Sequence, residues 1–114
     1  MERIFVKKGG KLMKKLRTFN EDLITALKNP KEASAYLEVA LEEYEKDQDT
    51  EAFLLALRDI TEAQGGITKL AKRTHLNRQN LYRVLSPKGN PKLPTILTIL
   101  HGLGFSLQPK LIRA

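Results

Sequence analysis

The segment between Gly65-Gly66 and Ser86-Pro87 restricts the fold more than any other part of the chain, because Gly and Pro end helices on both of its sides. Its sequence, ITKLAKRTHLNRQNLYRVL, places apolar residues at the spacings of two short helices, at about 67–74 and 78–85. Residues 75–77 are left for the turn between them. Two helices joined so closely must share one apolar interface.

The apolar positions of this segment have the spacing that a helix-turn-helix motif requires. The small side chain of Ala71 allows the two helices to cross closely, and Asn77 is a suitable N-cap for the second helix. We expect the following residues to form the scaffold of the pair: Leu70, Ala71, Leu76, Leu81 and Val84.

The other side of the second helix is polar, and its residue types suit the reading of DNA bases. Arg pairs bidentately with guanine, and Asn or Gln with adenine. The predicted base-reading residues are Asn77, Arg78, Gln79, Tyr82 and Arg83. Phosphate contacts are predicted at the start of the first helix, along it, and in the loop after the second, at Thr68, Lys69, Lys72, Arg73, Lys88 and Lys92.

Charge is divided unevenly along the chain, whose net charge is +7. Residues 63–114 contain nine Lys and Arg and no Asp or Glu, which indicates a polyanionic partner. Residues 32–62 contain ten acidic and two basic residues, so this segment faces away from a polyanion. It is either a solvated surface or a surface for a basic protein, with candidate contacts at Glu38, Glu42, Glu43, Glu45 and Asp47.

The rest of the chain predicts further helices and one strand. Asn29-Pro30 and Asp49-Thr50 have the chemistry of helix starts, and Pro94 begins a last helix that stops at Gly104. Residues 105–112 alternate apolar and polar side chains, which predicts a short strand that pairs with a second copy of the chain or with a partner protein. Residues 1–17 are basic and predict a disordered arm, so that 18–114 form a single domain.

Several motifs together resemble one family, over about residues 19–107. They are YLEVALEE, ITKLAKRTHLNRQNLYRVLS with the following GNPKLPTILTIL, and LGFSLQP. The chain resembles addiction-module antidote (antitoxin) proteins of the Xre/Cro-like helix-turn-helix class, which are similar to phage repressors. The resemblance implies an all-α, lambda-repressor-like bundle, a homodimer, a palindromic operator and a cognate toxin that is small and basic. It also implies that Arg78, Gln79, Tyr82 and Arg83 form the recognition surface.

Two positions depart from the family pattern. The turn position that is usually Gly is His75, and Thr74 occupies a position that is more often apolar. Asn, Asp and His are the residues other than Gly that are most often found at positive φ, so His75 is compatible with the turn at some cost.

Other classes of function find no support in the residues. The chain has no Cys, no Walker-type loop and no Ser/His/Asp set, and its two histidines lie 26 positions apart. We therefore expect no enzyme activity, no metal and no cofactor. No apolar run approaches the length of a membrane span and no secretory signal is present, so the expected location is the cytoplasm. Two alternatives stay open: a stand-alone prophage-type repressor without a toxin, and an adaptor whose basic half binds an acidic protein.

Overall fold

Local capping chemistry sets the helix boundaries in the computed structural model, which describes residues 20–112. Residues 20–26 are helical, and five helices follow. They are α1 (Pro30–Asp47), α2 (Thr50–Ala63), α3 (Ile67–Thr74), α4 (Arg78–Val84) and α5 (Leu93–Gly102). The predicted helical fold is confirmed for this part of the chain.

Three side-chain caps occur where the sequence predicts them, at Asn29, Asp49 and Asn77. The side chain of Asn29 accepts a hydrogen bond from the Lys31 amide at 2.9 Å, and Pro30 supplies the first helical position of α1. Asp49 caps α2 through the Ala52 amide at 3.0 Å. Each cap satisfies a backbone N–H that has no partner within its helix. The chain can therefore start a new helix immediately after the previous one ends.

The core is built mainly from leucine and isoleucine. α1 packs against α2, while α3 contacts α2, α4 and α5 and so lies at the centre of the second half of the fold. The largest fully buried side chains come from α2, α3, α4 and α5, and include Leu54, Leu57, Ile60, Leu70, Leu81, Ile99 and Leu100. The helix pair that carries the predicted DNA contacts is therefore held by the same core as the rest of the domain.

One acidic residue lies inside this core. Asp59 of α2 is buried, and its Oδ2 accepts a hydrogen bond from the Tyr36 hydroxyl of α1 at 2.8 Å. Burial raises the pKa of Asp59 from its ordinary value of 3.8 to about 6, partly opposed by the Tyr36 hydrogen bond and the Arg58 charge and reinforced by Glu62. The hydrogen bond between Tyr36 and Asp59 joins α1 to α2, but the carboxylate of Asp59 is costly to ionise in the core.

The predicted strand at 105–112 is wrong. The Phe105 amide donates to the Leu100 carbonyl at 2.8 Å and closes the end of α5, with Gly104 in the left-handed region at φ 92°. No strand is present in residues 20–112, and beyond Phe105 the segment leaves Leu107, Leu111 and Ile112 exposed. The alternating pattern fails because a strand needs a neighbouring strand for its backbone groups, and the helical domain offers none.

The predicted basic arm, residues 1–17, lies outside the described residues. Where the structure describes the chain, no helix is both long enough and apolar enough to cross a membrane. Residues 20–112 also contain no group of His, Asp or Glu side chains that could hold a metal ion.

Candidate nucleic-acid interface

The α3–α4 pair is held together by the five residues that the sequence assigns to its scaffold. Leu70 and Leu81 are each 1% exposed, and Ala71, Leu76 and Val84 pack partly buried against the same core. The four helical side chains therefore lie on the inner sides of α3 and α4, and Leu76 packs against the same core from the turn between them. This packing is what leaves the opposite side of α4 in solvent.

The turn between the helices uses the two residues that depart from the family pattern. His75 adopts the left-handed conformation at φ 61°, and its amide donates to the Ala71 carbonyl at 2.8 Å. The Thr74 hydroxyl donates to the Leu70 carbonyl at 2.8 Å and accepts from the Leu76 amide at 3.2 Å. All of these bonds lie within residues 70–76, so the end of α3 and the turn close without glycine.

Thr74 also lies where the end of α5 comes close to the α3–α4 pair. A Cβ at Gly102 would lie 2.5 Å from the Thr74 methyl carbon and 2.9 Å from a Leu70 methyl carbon. Glycine at the end of α5 thus permits a close contact with the last turn of α3. The methyl of Thr74 fills the apolar position, while its hydroxyl serves the turn.

The polar side of α4 is exposed along its whole length. Arg78, Gln79, Tyr82 and Arg83 are all exposed, and Tyr82 retains 55% of its accessible surface. The Arg78 guanidinium lies 5.9 Å from the centre of the Tyr82 ring, within the range of a cation–π contact. The structure thus brings these four predicted residues together on one small surface, which we name the α4 surface.

Hydrogen bonds within α4 restrict some of these side chains. Asn77 is exposed, but its Oδ1 accepts from the Asn80 amide at 3.1 Å as the N-cap of α4. The Arg83 guanidinium donates to the Asn80 side-chain oxygen. Asn80 therefore orients Arg83. The sequence pattern did not predict this role, because it assigned Asn80 neither to the apolar scaffold nor to the base-reading residues.

The predicted phosphate contacts fall into two groups. Thr68, Lys69 and Lys72 on α3 are exposed, as are Lys88 and Lys92 in the loop after α4. Arg73 differs, because its Nη1 donates to the Gln64 side-chain oxygen at 2.9 Å and lies 3.4 Å from the Gly102 carbonyl. A phosphate contact by Arg73 would have to use its other guanidinium nitrogens.

Gln64 is a second residue that sequence reasoning missed. Its Nε2 donates to the Leu103 carbonyl at 2.8 Å while its Oε1 accepts from Arg73. One amide side chain therefore connects the end of α2 to α3 and to the end of α5. The signal was absent from the sequence because the bonded residues lie 39 and 9 positions away.

The acidic residues predicted to contact a toxin lie on α1. Glu38, Glu42, Glu45 and Asp47 are exposed, and Glu43 is partly exposed. We name these five residues the α1 acidic surface. Lys110 from the C-terminal segment reaches Glu38 at 3.7 Å, with both side chains largely in solvent. Such an exposed pair contributes little to stability.

Comparison with known proteins gives the family of the chain. The family model described as probable addiction module antidote protein matches residues 15–111. An uncharacterized protein of Haemophilus influenzae is 30% identical over 87 residues, which cover 76% of this chain and 84% of that relative. No solved structure matches the chain significantly. By the extent of the family match, the chain belongs to the family of probable addiction module antidote proteins.

Proposed function

We propose that the protein is the antitoxin of a toxin–antitoxin module, that it binds operator DNA through α3 and α4 as a helix-turn-helix, and that it represses its own operon. The family supports an antidote role and, in general, a toxin partner. In this proposal the chain is a binding protein without catalytic activity, and it acts in the cytoplasm, where the operator is. Two copies would place their α4 helices in successive major grooves, about 34–36 Å apart.

The observation that carries the DNA proposal is the α4 surface itself. Arg78, Gln79, Tyr82 and Arg83 are exposed on a helix whose opposite side, at Leu81, is 1% exposed. A rigid helix of this kind fits the major groove, which admits one α-helix. Arg and Gln then meet base edges with side chains that can form two hydrogen bonds each. The arrangement favours direct base reading over a contact with phosphates alone.

The surrounding charge supports the same proposal. Residues 63–114 carry nine basic side chains and no acidic one, so nothing in this half of the chain repels a phosphate. Of the exposed lysines, Lys69 and Lys72 lie on α3, and Lys88 and Lys92 lie in the loop after α4. Phosphate contacts of this kind fix the register of a protein on the duplex, while base contacts supply the specificity.

Variants of the two contact classes test the DNA proposal. We expect Arg78→Ala and Arg83→Ala each to reduce the preference for the DNA upstream of the protein's own gene, relative to unrelated DNA, by about tenfold. Lys88→Ala is the matched control, because loss of a phosphate contact weakens binding to both DNAs by the same factor. Competition gel shifts measure both quantities. If the arginine variants weaken both DNAs equally, α4 touches only phosphates and the base-reading assignment is wrong.

We propose further that the α1 acidic surface binds the toxin. The surface lies on α1, which packs against α2, whereas the proposed DNA contacts lie on α3, α4 and the following loop. An acidic surface attracts a basic protein and would repel DNA, so the two partners are assigned to different parts of the chain.

Charge reversal tests this assignment. We expect Glu42→Lys to weaken capture of the product of the adjacent gene when the two proteins are co-expressed, because the new charge repels a basic partner at the centre of the surface. Glu62→Lys, an exposed acid on α2, is the control. Equal capture of the adjacent gene product by the unaltered chain, Glu42→Lys and Glu62→Lys would exclude the α1 acidic surface as the toxin-binding site. No capture by the unaltered chain would favour a repressor without a toxin.

A further inference from the structure

Arg58 makes a contact that joins the acidic half of the chain to the proposed reading helix. It lies on α2, partly buried, and its guanidinium donates a hydrogen bond to the backbone carbonyl oxygen of Leu85, the residue that ends α4. Residues 32–62 contain only one other basic residue, Lys46. Arg58, the only basic residue of α2, therefore bonds to the end of a helix that lies 27 residues later in the chain.

The C-terminal end of α4 needs such a donor. α4 has seven residues, too few for a helix that is stable by itself, and the last carbonyls of any helix lack partners within it. The Arg83 carbonyl accepts from the Ser86 hydroxyl at 2.7 Å. Leu85 is 1% exposed, so water has little access to replace Arg58 at its carbonyl. Loss of the guanidinium would leave a buried acceptor without its donor.

The charge of Arg58 suits this position as well. Carbonyl groups at a helix C-terminus carry partial negative charge, and a cation there stabilises the helix. The guanidinium is planar, and its N–H donors point in fixed directions within that plane, so its hydrogen bonds have a defined orientation. The contact therefore favours one placement of the end of α4 relative to α2.

We infer that Arg58 is a positioning residue that fixes α4 on the domain, and that the DNA preference of the α4 surface depends on it without Arg58 touching DNA. Only the second part of this inference, the dependence of the DNA preference on Arg58, rests on the proposed DNA function. Bidentate contacts to bases tolerate little displacement, so a reading helix that shifts at one end loses discrimination before it loses general affinity.

Three variants separate this role from others. Arg58→Met removes the donor and the charge but keeps an unbranched side chain, and Arg58→Lys keeps a cationic donor. Lys46→Met is the matched control, since it removes the other positive charge of the same acidic segment from an exposed site on α1. Denaturant unfolding of each variant defines the conditions in which it is folded, and all other measurements are made there.

The first measurement needs no DNA. Amide hydrogen exchange is followed at Leu85 and Ser86, which close α4, and at the buried Ile60 in the last turn of α2. In Arg58→Met we expect exchange at the α4 amides to rise about tenfold relative to Ile60, as loss of one charge-assisted hydrogen bond implies. Arg58→Lys should restore most of the protection, and Lys46→Met should match the unaltered chain. Unchanged exchange at the α4 end in Arg58→Met would overturn the inference.

The second measurement uses DNA and separates positioning from direct contact. We expect Arg58→Met to lower the preference for upstream DNA over unrelated DNA by about tenfold, with the salt dependence of binding unchanged. If Arg58 instead neutralises a phosphate, the slope of log affinity against log salt falls in magnitude by about 0.9 and the preference stays the same, which refutes positioning. If the unaltered chain prefers no DNA, the proposed function fails, while the exchange result still decides whether Arg58 holds α4.

Discussion

Asp59→Asn is expected to raise the free energy of unfolding at pH 7 by about 2–3 kcal/mol. Asp59 is buried and its pKa is raised from 3.8 to about 6, mainly by burial, so at pH 7 the folded protein carries an ionised carboxylate in its core. The asparagine amide has no charge to desolvate, and its oxygen can still accept the hydrogen bond from the Tyr36 hydroxyl.

The same residue gives a stability that depends on pH. Between pH 3.8 and about 6 the folded chain holds a proton on Asp59 that the unfolded chain has lost. The contribution of Asp59 to stability is therefore present at low pH and falls as pH rises through this window. We expect the difference in unfolding free energy between Asp59→Asn and the unaltered chain to grow from near zero at pH 3 to its full value at pH 7.

Urea unfolding at a series of pH values measures this difference. Glu45→Gln, which removes an exposed carboxylate from α1, is the control and should show little difference at any pH. A difference between Asp59→Asn and the unaltered chain that is constant with pH would mean that Asp59 is no harder to ionise in the fold than outside it.

Gly89→Ala is expected to destabilise the domain by about 3 kcal/mol, because the added Cβ would meet backbone rather than a flexible side chain. That Cβ would lie 2.0 Å from the Val84 carbonyl oxygen and 3.0 Å from the Arg83 carbonyl oxygen. The Gly89 amide donates to the Ser86 carbonyl at 2.9 Å, so the loop cannot retreat without losing this bond.

Because Gly89 touches the end of α4, the same variant should also affect DNA. A loop pushed away from α4 carries Lys88 with it, and we expect weaker binding to upstream and unrelated DNA alike. Asn90→Ala, an exposed neighbour in the loop, is the control. Thermal unfolding together with gel shifts provides the check, and unchanged stability in Gly89→Ala would show that the loop has room that the structure does not indicate.

Sequence reasoning succeeded where the interactions are local. The caps at Asn29, Asp49 and Asn77 bond amides two or three residues ahead, so neighbouring residue types suffice to predict them. The apolar spacing likewise placed Leu70 and Leu81 in the core. His75 belongs here too, since its left-handed backbone follows from the turn that the surrounding helices require.

The failures all concern contacts between distant segments. Arg58 and Gln64 bond carbonyls 27 and 39 residues away, and nothing in their own neighbourhood shows it. The charge pattern placed Asp59 in the acidic segment 32–62, but its side chain lies on the buried side of α2 with Ile60. Residues 105–112 alternate as a strand does, but pairing depends on a neighbour that alternation alone does not supply.

Footprinting of the purified chain on the DNA upstream of its own gene tests the central claim most directly. If α4 reads bases in the major groove, two protected blocks should appear about 10 base pairs apart, centre to centre, and Arg78→Ala should lose contact with particular guanines while phosphate protection persists. Protection that follows no sequence, or that Arg78→Ala leaves unchanged at every guanine, would contradict the account.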